Sequence, residues 1–231
     1  MNRLLTPRRL TAEAPQRFVL HDLNWKDYQK ILEVVEGSHV RVTYDRGSLE
    51  LMTLSSLHEI YKTWFGRILD ILALELGFRI KCCGSTTMRR EDVDRGLEPD
   101  ECFYLANIHR VRDWKQLDLS RDPPPDLAVE IEVTRTVLDR MSIYAALGVP
   151  ELWRFDGETL RSYRLSAGGS YDLSPNSQAI PYLPLNEVVP FVQRGIEAPD
   201  DTEVLRAFQS WVRERVLPLC QATGGSPTPE A

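Results

Sequence analysis

The segment Asp126-Leu-Ala-Val-Glu-Ile-Glu-Val133 decides the fold of this chain, because it predicts a β-strand with two carboxylates on one face. Alternate side chains of a strand point to opposite faces, so Glu130 and Glu132 lie on the same side, about 7 Å apart along the backbone. The apolar residues project from the other side. The spacing also suits an amphipathic edge strand with one solvated face, so a second observation has to decide between these interpretations.

The residues that follow predict a helix at 138–147 and a strand at 151–155, and this order is typical of an α/β sheet. A strand inside such a sheet is buried on both faces, where a carboxylate is costly unless a metal ion or a positive side chain binds it. Arg140 heads the apolar stripe of the predicted helix, so we expect its guanidinium beside Glu130 and Glu132. A structural salt bridge without any activity would satisfy the same pattern.

Acidic residues also precede an earlier predicted strand, which covers residues 101–105. Pro99 and Asp100 stand at its start, where the proline restricts the path of the chain. Acidic turns before strands are common. Asp100 therefore becomes a candidate site residue only in combination with Glu130 of the later strand.

Local patterns predict the other elements. Ser56 and Glu59 suit a capping box at the start of a long helix. We expect one domain over residues 1–221, followed by a disordered tail of small and polar residues at 222–231. The expected elements are a helix at 24–35 capped by Asn24, a hairpin of strands 39–44 and 48–53 around Asp45-Arg46-Gly47, a helix at 57–76 ended by Gly77, strands at 78–81, 86–89 and 159–165, and a helix at 202–216 capped by Asp200 or Asp201.

The composition is that of a globular protein, with 42% hydrophobic and 27% charged residues among 231. A net charge of -6 disfavours a protein that coats nucleic acid through basicity alone, but it allows an enzyme whose carboxylates hold cations. The first residues contain no apolar stretch of signal-peptide length, and no segment is long enough to span a bilayer. We therefore expect a soluble, cytoplasmic protein with no membrane partner.

Cysteine and histidine residues do not predict a metal site. The four cysteines lack the paired spacing of zinc ligands and are expected to be reduced thiols, and the four histidines lack HxH or HExxH spacing. We expect His58 to pack near the start of the long helix and Tyr144 to lie in the core. A solvated loop, rather than a contact to nucleic acid, is expected for the polar connection that contains Arg110, Arg112, Trp114 and Lys115.

Pro99-Asp100, followed by Glu130-Ile131-Glu132, resembles the PD-(D/E)xK signature of restriction-endonuclease-like enzymes. More specifically, the chain is similar to the putative restriction endonuclease family that was formerly catalogued as a domain of unknown function. The resemblance covers roughly residues 20–195. Further blocks that carry it are Gly47–Met52, Ser56–His58, Gly84–Thr87, Arg89–Asp92, Glu98–Tyr104 and Leu138–Trp153.

The resemblance implies a restriction-endonuclease-like α/β fold, in which helices flank a mixed central β-sheet and the N-terminal helix and hairpin are an elaboration. It also implies a Mg²⁺ or Mn²⁺ ion and endonucleolytic hydrolysis of DNA. A homodimer would suit an enzyme that cuts two strands. On this hypothesis Asp100, Glu130 and the main-chain carbonyl of Ile131 bind the ion, which activates water. Glu132 would orient that water or bind a second ion, and Arg140 would steady the phosphate.

The chain departs from the superfamily pattern at the signature lysine, because Glu132 takes that place two residues after Glu130. Relatives often carry a lysine in the next helix, and Arg140 matches its position. Arginine stabilises the charge of a phosphate but does not accept a proton near neutral pH. Two alternatives to a metal-dependent nuclease stay open: a catalytically degenerate nuclease fold that binds nucleic acid or protein, and a structural acid cluster neutralised by Arg140.

Overall fold

The computed structural model describes residues 16–114, 117–133 and 137–222 of the chain. Lys115 and residues 223–231 of the expected tail lie outside the described residues, whereas Ala222 ends a helix. Within the described ranges, no helix combines the length and the apolar character needed to cross a membrane.

The strands form two sheets. The first sheet is antiparallel, in the order β1-β3-β2-β6-β5, and the second has the order β11-β10-β9-β8-β7-β4. The strands are β1 (Arg17–Leu20), β2 (Val40–Asp45), β3 (Ser48–Thr53), β4 (Lys81–Cys82), β5 (Met88–Arg90), β6 (Arg95–Leu97), β7 (Glu101–Tyr104), β8 (Leu127–Ile131), β9 (Glu151–Phe155), β10 (Leu160–Leu165) and β11 (Tyr171–Ser174).

The first sheet contains the predicted hairpin, formed by β2 and β3, and Gly47 lies in its turn with a φ of 90° that favours glycine. The N-terminal helix α1 (Trp25–Val35) packs on this sheet, where Tyr28 stacks on Tyr44 with ring centroids 4.7 Å apart. Asn24 caps the helix as expected. The predicted helix and hairpin elaboration is therefore confirmed.

The second sheet is mixed. β8 and β9 run parallel and are joined across α3 (Arg140–Leu147), while the other neighbouring strands are antiparallel. Helices cover one face: α2 (Ser56–Leu76), α4 (Leu185–Glu197), α5 (Asp201–Trp211), a π-helical turn (Val212–Val216) and α6 (Leu217–Ala222). The α/β class and the mixed sheet flanked by helices are confirmed.

β8 is buried on both faces. Its Val129 belongs to the core beneath α2, and its Ala128 belongs to a second core beside α3 that also contains Ile143. All five residues of β8 are buried, because strands lie on both sides of it in the sheet, α2 covers one face, and α3 with residues of the first sheet covers the other. The interpretation of this segment as an edge strand with a wet face is therefore wrong.

Some predicted boundaries differ from the structure. β8 ends at Ile131, so Glu132 lies just beyond the strand instead of within it. Ser55 caps the long helix by accepting a hydrogen bond from the His58 amide at 3.2 Å, so the capping box of Ser56 and Glu59 is wrong. The sequence did not predict α4, whose interior contains a proline, nor the edge strands β1 and β11.

Candidate active site

A group of buried polar side chains lies where β2 of the first sheet meets β8 of the second. We call this group the acid–arginine cluster, and each member is at most 7% exposed. Its members are Arg41 and Thr43 from β2, His58 from α2, Asp100 from the turn before β7, Glu130 from β8, and Arg140 and Tyr144 from α3.

Glu130 is held by α3. Arg140 donates to both carboxylate oxygens, from Nε at 2.9 Å and from Nη2 at 2.7 Å, and the hydroxyl of Tyr144 donates to the same carboxylate. Burial alone would raise the pKa of Glu130, but the charge and hydrogen bonds of Arg140 outweigh burial and lower it. Glu130 is therefore a carboxylate at neutral pH, with both oxygens already hydrogen-bonded.

Arg140 connects four parts of the chain. Besides Glu130, it donates to Thr43 Oγ1 at 2.6 Å and to the carbonyl oxygen of Glu98 at 2.7 Å. Burial disfavours the charged guanidinium, but Glu130 and Tyr144 raise the pKa of Arg140 above its ordinary value. The expected contact between Arg140 and Glu130 is present, and it fixes α3 against both sheets.

Asp100 faces a different arginine. Arg41 forms an ion pair with its Oδ1, and the amide of Ile131 donates to its Oδ2 at 2.5 Å. His58 Nε2 lies 2.9 Å from the same Oδ1. Neither the contact of Arg41 Nη1 nor that of His58 has hydrogen-bond geometry, so His58 Nε2 and Asp100 Oδ1 are buried atoms without hydrogen-bond partners among the described residues. Arg41 Nη2 is a third such atom.

His58 belongs to this site, although the sequence predicted only a packing role for it. Burial is the main cause that lowers the pKa of His58 to about 4, and the positive charge of Arg41 acts in the same direction. The imidazole is therefore neutral near pH 7 and offers a lone pair or a proton to a neighbour. The signal that could have found it is its place within the Ser56–His58 block, which belongs to the family pattern.

Glu132 is close in sequence but does not join the cluster. It pairs with Arg154 of β9, whose Nε donates at 2.7 Å, and about a quarter of each side chain is exposed. Arg154 stands opposite Glu130 in the β8–β9 register, so the pair lies beside the cluster on the same sheet. Sequence reasoning missed Arg41 and Arg154, because a charged residue that alternates with apolar ones on a strand also suits a solvated face.

A third buried acid, Glu50, faces the cluster from β3, where it stands opposite Thr43. It accepts hydrogen bonds from the amides of Val137 at 3.2 Å and Leu138 at 3.1 Å, just before α3 begins. Arg17 Nε lies 2.6 Å from its carboxylate. Glu50 therefore ties the N-terminal sheet to the start of the helix that carries Arg140.

Each of these acids has its own arginine, and this decides whether the expected metal ion fits. A divalent ion needs several oxygen ligands with open lone pairs. In the described part of the chain, no three histidine, cysteine or acidic side chains are grouped to hold an ion. In this arrangement the residues do not fit the ion, and the ligand roles of Asp100, Glu130 and Ile131 stay predictions. The pairs are Arg17–Glu50, Arg41–Asp100, Arg140–Glu130 and Arg154–Glu132.

The polar connection after β7 lies away from the cluster. Trp114 packs edge-on against Tyr104, with ring centroids 5.2 Å apart, and Arg110 donates to Asn107 at 2.9 Å. Tyr104 ends β7, whereas Asp100 precedes its first residue. The polar connection and Asp100 are therefore at opposite ends of β7.

Comparison with known proteins identifies the family. No curated protein matches the chain. Among solved structures, the chain is similar to "a putative nuclease belonging to DUF820" from Anabaena variabilis ATCC 29413, with 11% identity, a TM-score of 0.39, and coverage of 68% of this chain and 84% of that chain. The model of the Uma2 family, described as "Putative restriction endonuclease", matches residues 25–199. The family expected from the sequence is thus confirmed, and the chain belongs to the Uma2 family.

Proposed function

We propose that the chain is an endonuclease that hydrolyses phosphodiester bonds of DNA at the acid–arginine cluster. Family membership supports the reaction class. The observation that carries the proposal is the convergence of Asp100, His58 and Glu130 at one buried place from three separate elements. Buried ionisable groups with unmet hydrogen bonds are rare outside functional sites, because they lower stability.

Asp100 and His58 hold the attacking water in this proposal. Asp100 Oδ1 and His58 Nε2 are 2.9 Å apart and lack hydrogen-bond partners in the described ranges, so both atoms have bonding capacity for a water molecule. Because both atoms are buried, the water must enter the site together with the substrate. The water oxygen bonds to phosphorus while the bond from phosphorus to the sugar oxygen breaks. The Asp100 carboxylate accepts the proton that the water gives up, and the leaving sugar oxygen takes a proton from solvent. Arg140 supplies the positive charge that stabilises the phosphate during attack.

The expected Mg²⁺ or Mn²⁺ stays part of the proposal as an ion that competes with the arginines for Asp100 and Glu130, and no step of hydrolysis is assigned to it. The partly exposed pair of Glu132 and Arg154 marks the side from which a DNA phosphate would approach. A homodimer and a cytoplasmic location, both expected from the sequence, are kept as proposals.

The test is incubation of the purified chain with supercoiled and linear DNA in Mg²⁺, Mn²⁺ or a chelator. Asp100→Asn keeps an acceptor for the Ile131 amide but loses the negative charge, so we expect cleavage to fall about 100-fold or more. Asp172→Asn, on the exposed face of β11, is the matched control and should cleave as the wild type does. Equal cleavage by Asp100→Asn would refute the site.

One observation favours a second candidate, a nuclease fold that binds DNA and has lost its chemistry. Each acid of the site already pairs with an arginine, an arrangement that needs no substrate to neutralise it. A gel-shift measurement on the same DNA separates the two candidates. Retarded DNA that stays intact under every ion condition would support the binding module, whereas cleavage that depends on Asp100 would exclude it.

A further inference from the structure

The acid–arginine cluster has balanced charges without any bound ion. Asp100 and Glu130 contribute two negative charges, and Arg41 and Arg140 contribute two positive ones, all at 7% exposure or less. Burial of a charge is costly unless an opposite charge lies next to it. The cluster therefore already contains the positive charge that a divalent cation would otherwise supply to these acids.

Arg41 and Arg140 differ in the number of hydrogen bonds that hold them in the cluster. Arg140 is locked by hydrogen bonds to Glu130, Thr43 and Glu98. Arg41 contacts Asp100, and its Nη2 has no hydrogen-bond partner among the described residues. Because Arg41 makes fewer specific bonds, it is the arginine that a competing cation would displace at lower cost.

The geometry at Asp100 makes guanidinium and metal ion mutually exclusive. Oδ2 accepts the Ile131 amide, and Oδ1 faces both Arg41 and His58. A divalent ion on Oδ1 would stand beside a positive guanidinium, and at such short separation the repulsion exceeds thermal energy even with strong screening. Only one of the two cations can therefore neutralise Asp100 at a time.

We infer that Arg41 is an internal cation that occupies the ion position beside Asp100, so that the resting chain excludes Mg²⁺ and Mn²⁺ from this carboxylate until Arg41 moves away. The inference rests on the proposed function only in naming Asp100 as part of the active site. It makes Arg41 a positioning residue that controls access of an ion. It also predicts that the ion and Arg41 compete, which a binding measurement detects without any cleavage assay.

The experiment measures the dissociation constant of Mn²⁺ by electron paramagnetic resonance of free Mn²⁺. We expect Arg41→Met to bind Mn²⁺ at least tenfold more tightly than the wild type. The double variant Arg41→Met, Asp100→Asn should lose this gain, because it removes the freed carboxylate. Arg67→Met is the matched control, since it frees the half-exposed Asp201 from an ion pair of 2.5 Å and should leave Mn²⁺ binding unchanged.

Equal Mn²⁺ affinity of the wild type and Arg41→Met would overturn the inference, as would a gain that persists in the double variant. If Arg41→Met does not fold, the inference is tested by comparing the Mn²⁺ affinities of the wild type and Asp100→Asn. Mn²⁺ binding that is present in the wild type and lost in Asp100→Asn would refute the inference. Equal Mn²⁺ affinities of these two proteins would support it. DNA cleavage is measured separately, so absence of cleavage counts against the proposed function and not against the role of Arg41.

Discussion

Arg140 and Glu130 form a buried bidentate ion pair, with Nε and Nη2 of the arginine 2.9 and 2.7 Å from the two carboxylate oxygens. They stand ten positions apart in the sequence, and they lie on the first strand and the helix of the β8–α3–β9 crossover. The pair therefore holds the crossover helix in place as well as neutralising the acid. Two parallel hydrogen bonds also fix the orientation of the guanidinium, which a single contact would not.

Arg140→Met should lower the free energy of unfolding by about 3–5 kcal/mol, because it leaves the Glu130 carboxylate buried without its cation. Urea denaturation at pH 7 measures the change. The double variant Arg140→Met, Glu130→Met removes both charges and should recover part of the loss. A single variant within about 1 kcal/mol of the wild type would mean that water reaches Glu130 and that the pair is not needed for stability.

Acidification should destabilise the protein through His58. Burial and Arg41 lower the pKa of His58 to about 4, whereas an unfolded histidine has a pKa near 6.5. Between these values the unfolded chain binds a proton that the folded protein does not, so the free energy of unfolding falls as pH falls. The loss due to His58 should reach about 2 kcal/mol between pH 7 and pH 5.

The measurement is urea unfolding at several pH values for the wild type and His58→Gln, whose difference isolates the histidine. The charges that act on His58 besides Arg41 are Glu59, Glu130 and Lys62, and Asp100 lies against its Nε2. If Asp100 stabilised the imidazolium more than burial opposes it, the wild type would gain stability relative to His58→Gln on acidification. That outcome would contradict the prediction.

Alkylation should select Cys83 over its neighbour. A hydrogen bond from Cys102 lowers the pKa of Cys83. Cys82 is exposed as a residue, but desolvation of its sulfur and its hydrogen bond to Glu101 raise its pKa to about 12. Because the thiolate is the reactive form, iodoacetamide at pH 7.5 should modify Cys83 first. Peptide mass mapping over time tests this, with urea-unfolded protein as the control in which all four cysteines react. Faster labelling of Cys82 would contradict the prediction.

Replacement by alanine should lower the stability of the protein at Gly195 and raise it at Gly66. A Cβ on Gly195 of α4 would lie 2.1 Å from the ring of Trp64 on α2, so Gly195→Ala should cost about 1–3 kcal/mol through overpacking. A Cβ on Gly66, within α2, would have no heavy atom of the described residues within 4 Å, so Gly66→Ala should stabilise the helix by about 0.5–1 kcal/mol. Thermal unfolding of both variants checks the signs. Stabilisation by Gly195→Ala would show that α4 does not pack closely on α2, and destabilisation by Gly66→Ala would contradict the prediction for α2.

Features that depend on neighbouring residues were predictable from the sequence alone. The β2–β3 hairpin follows from alternating residues around the Gly47 turn, and the end of α2 follows from Gly77, which adopts a left-handed conformation with φ of 76°. The position of Arg140 near Glu130 also follows from local spacing, because a short crossover returns the helix onto its own strand. α4 was missed because Pro190 within it disfavours a helix in local reasoning.

The amino-acid sequence by itself determined the α/β class, through periodicity and turns, and the family, through its resemblance in the blocks around Asp100 and Glu130. It also placed Arg140 beside Glu130 or Glu132, because these residues are close along the chain. Only the tertiary structure decided that Arg41 and His58 reach Asp100, since β2, α2 and the turn before β7 meet through packing between distant segments. Periodicity shows which face of an element a residue occupies, but not which other element covers that face. The partners of Asp100 were therefore decided by how distant segments of the chain pack together.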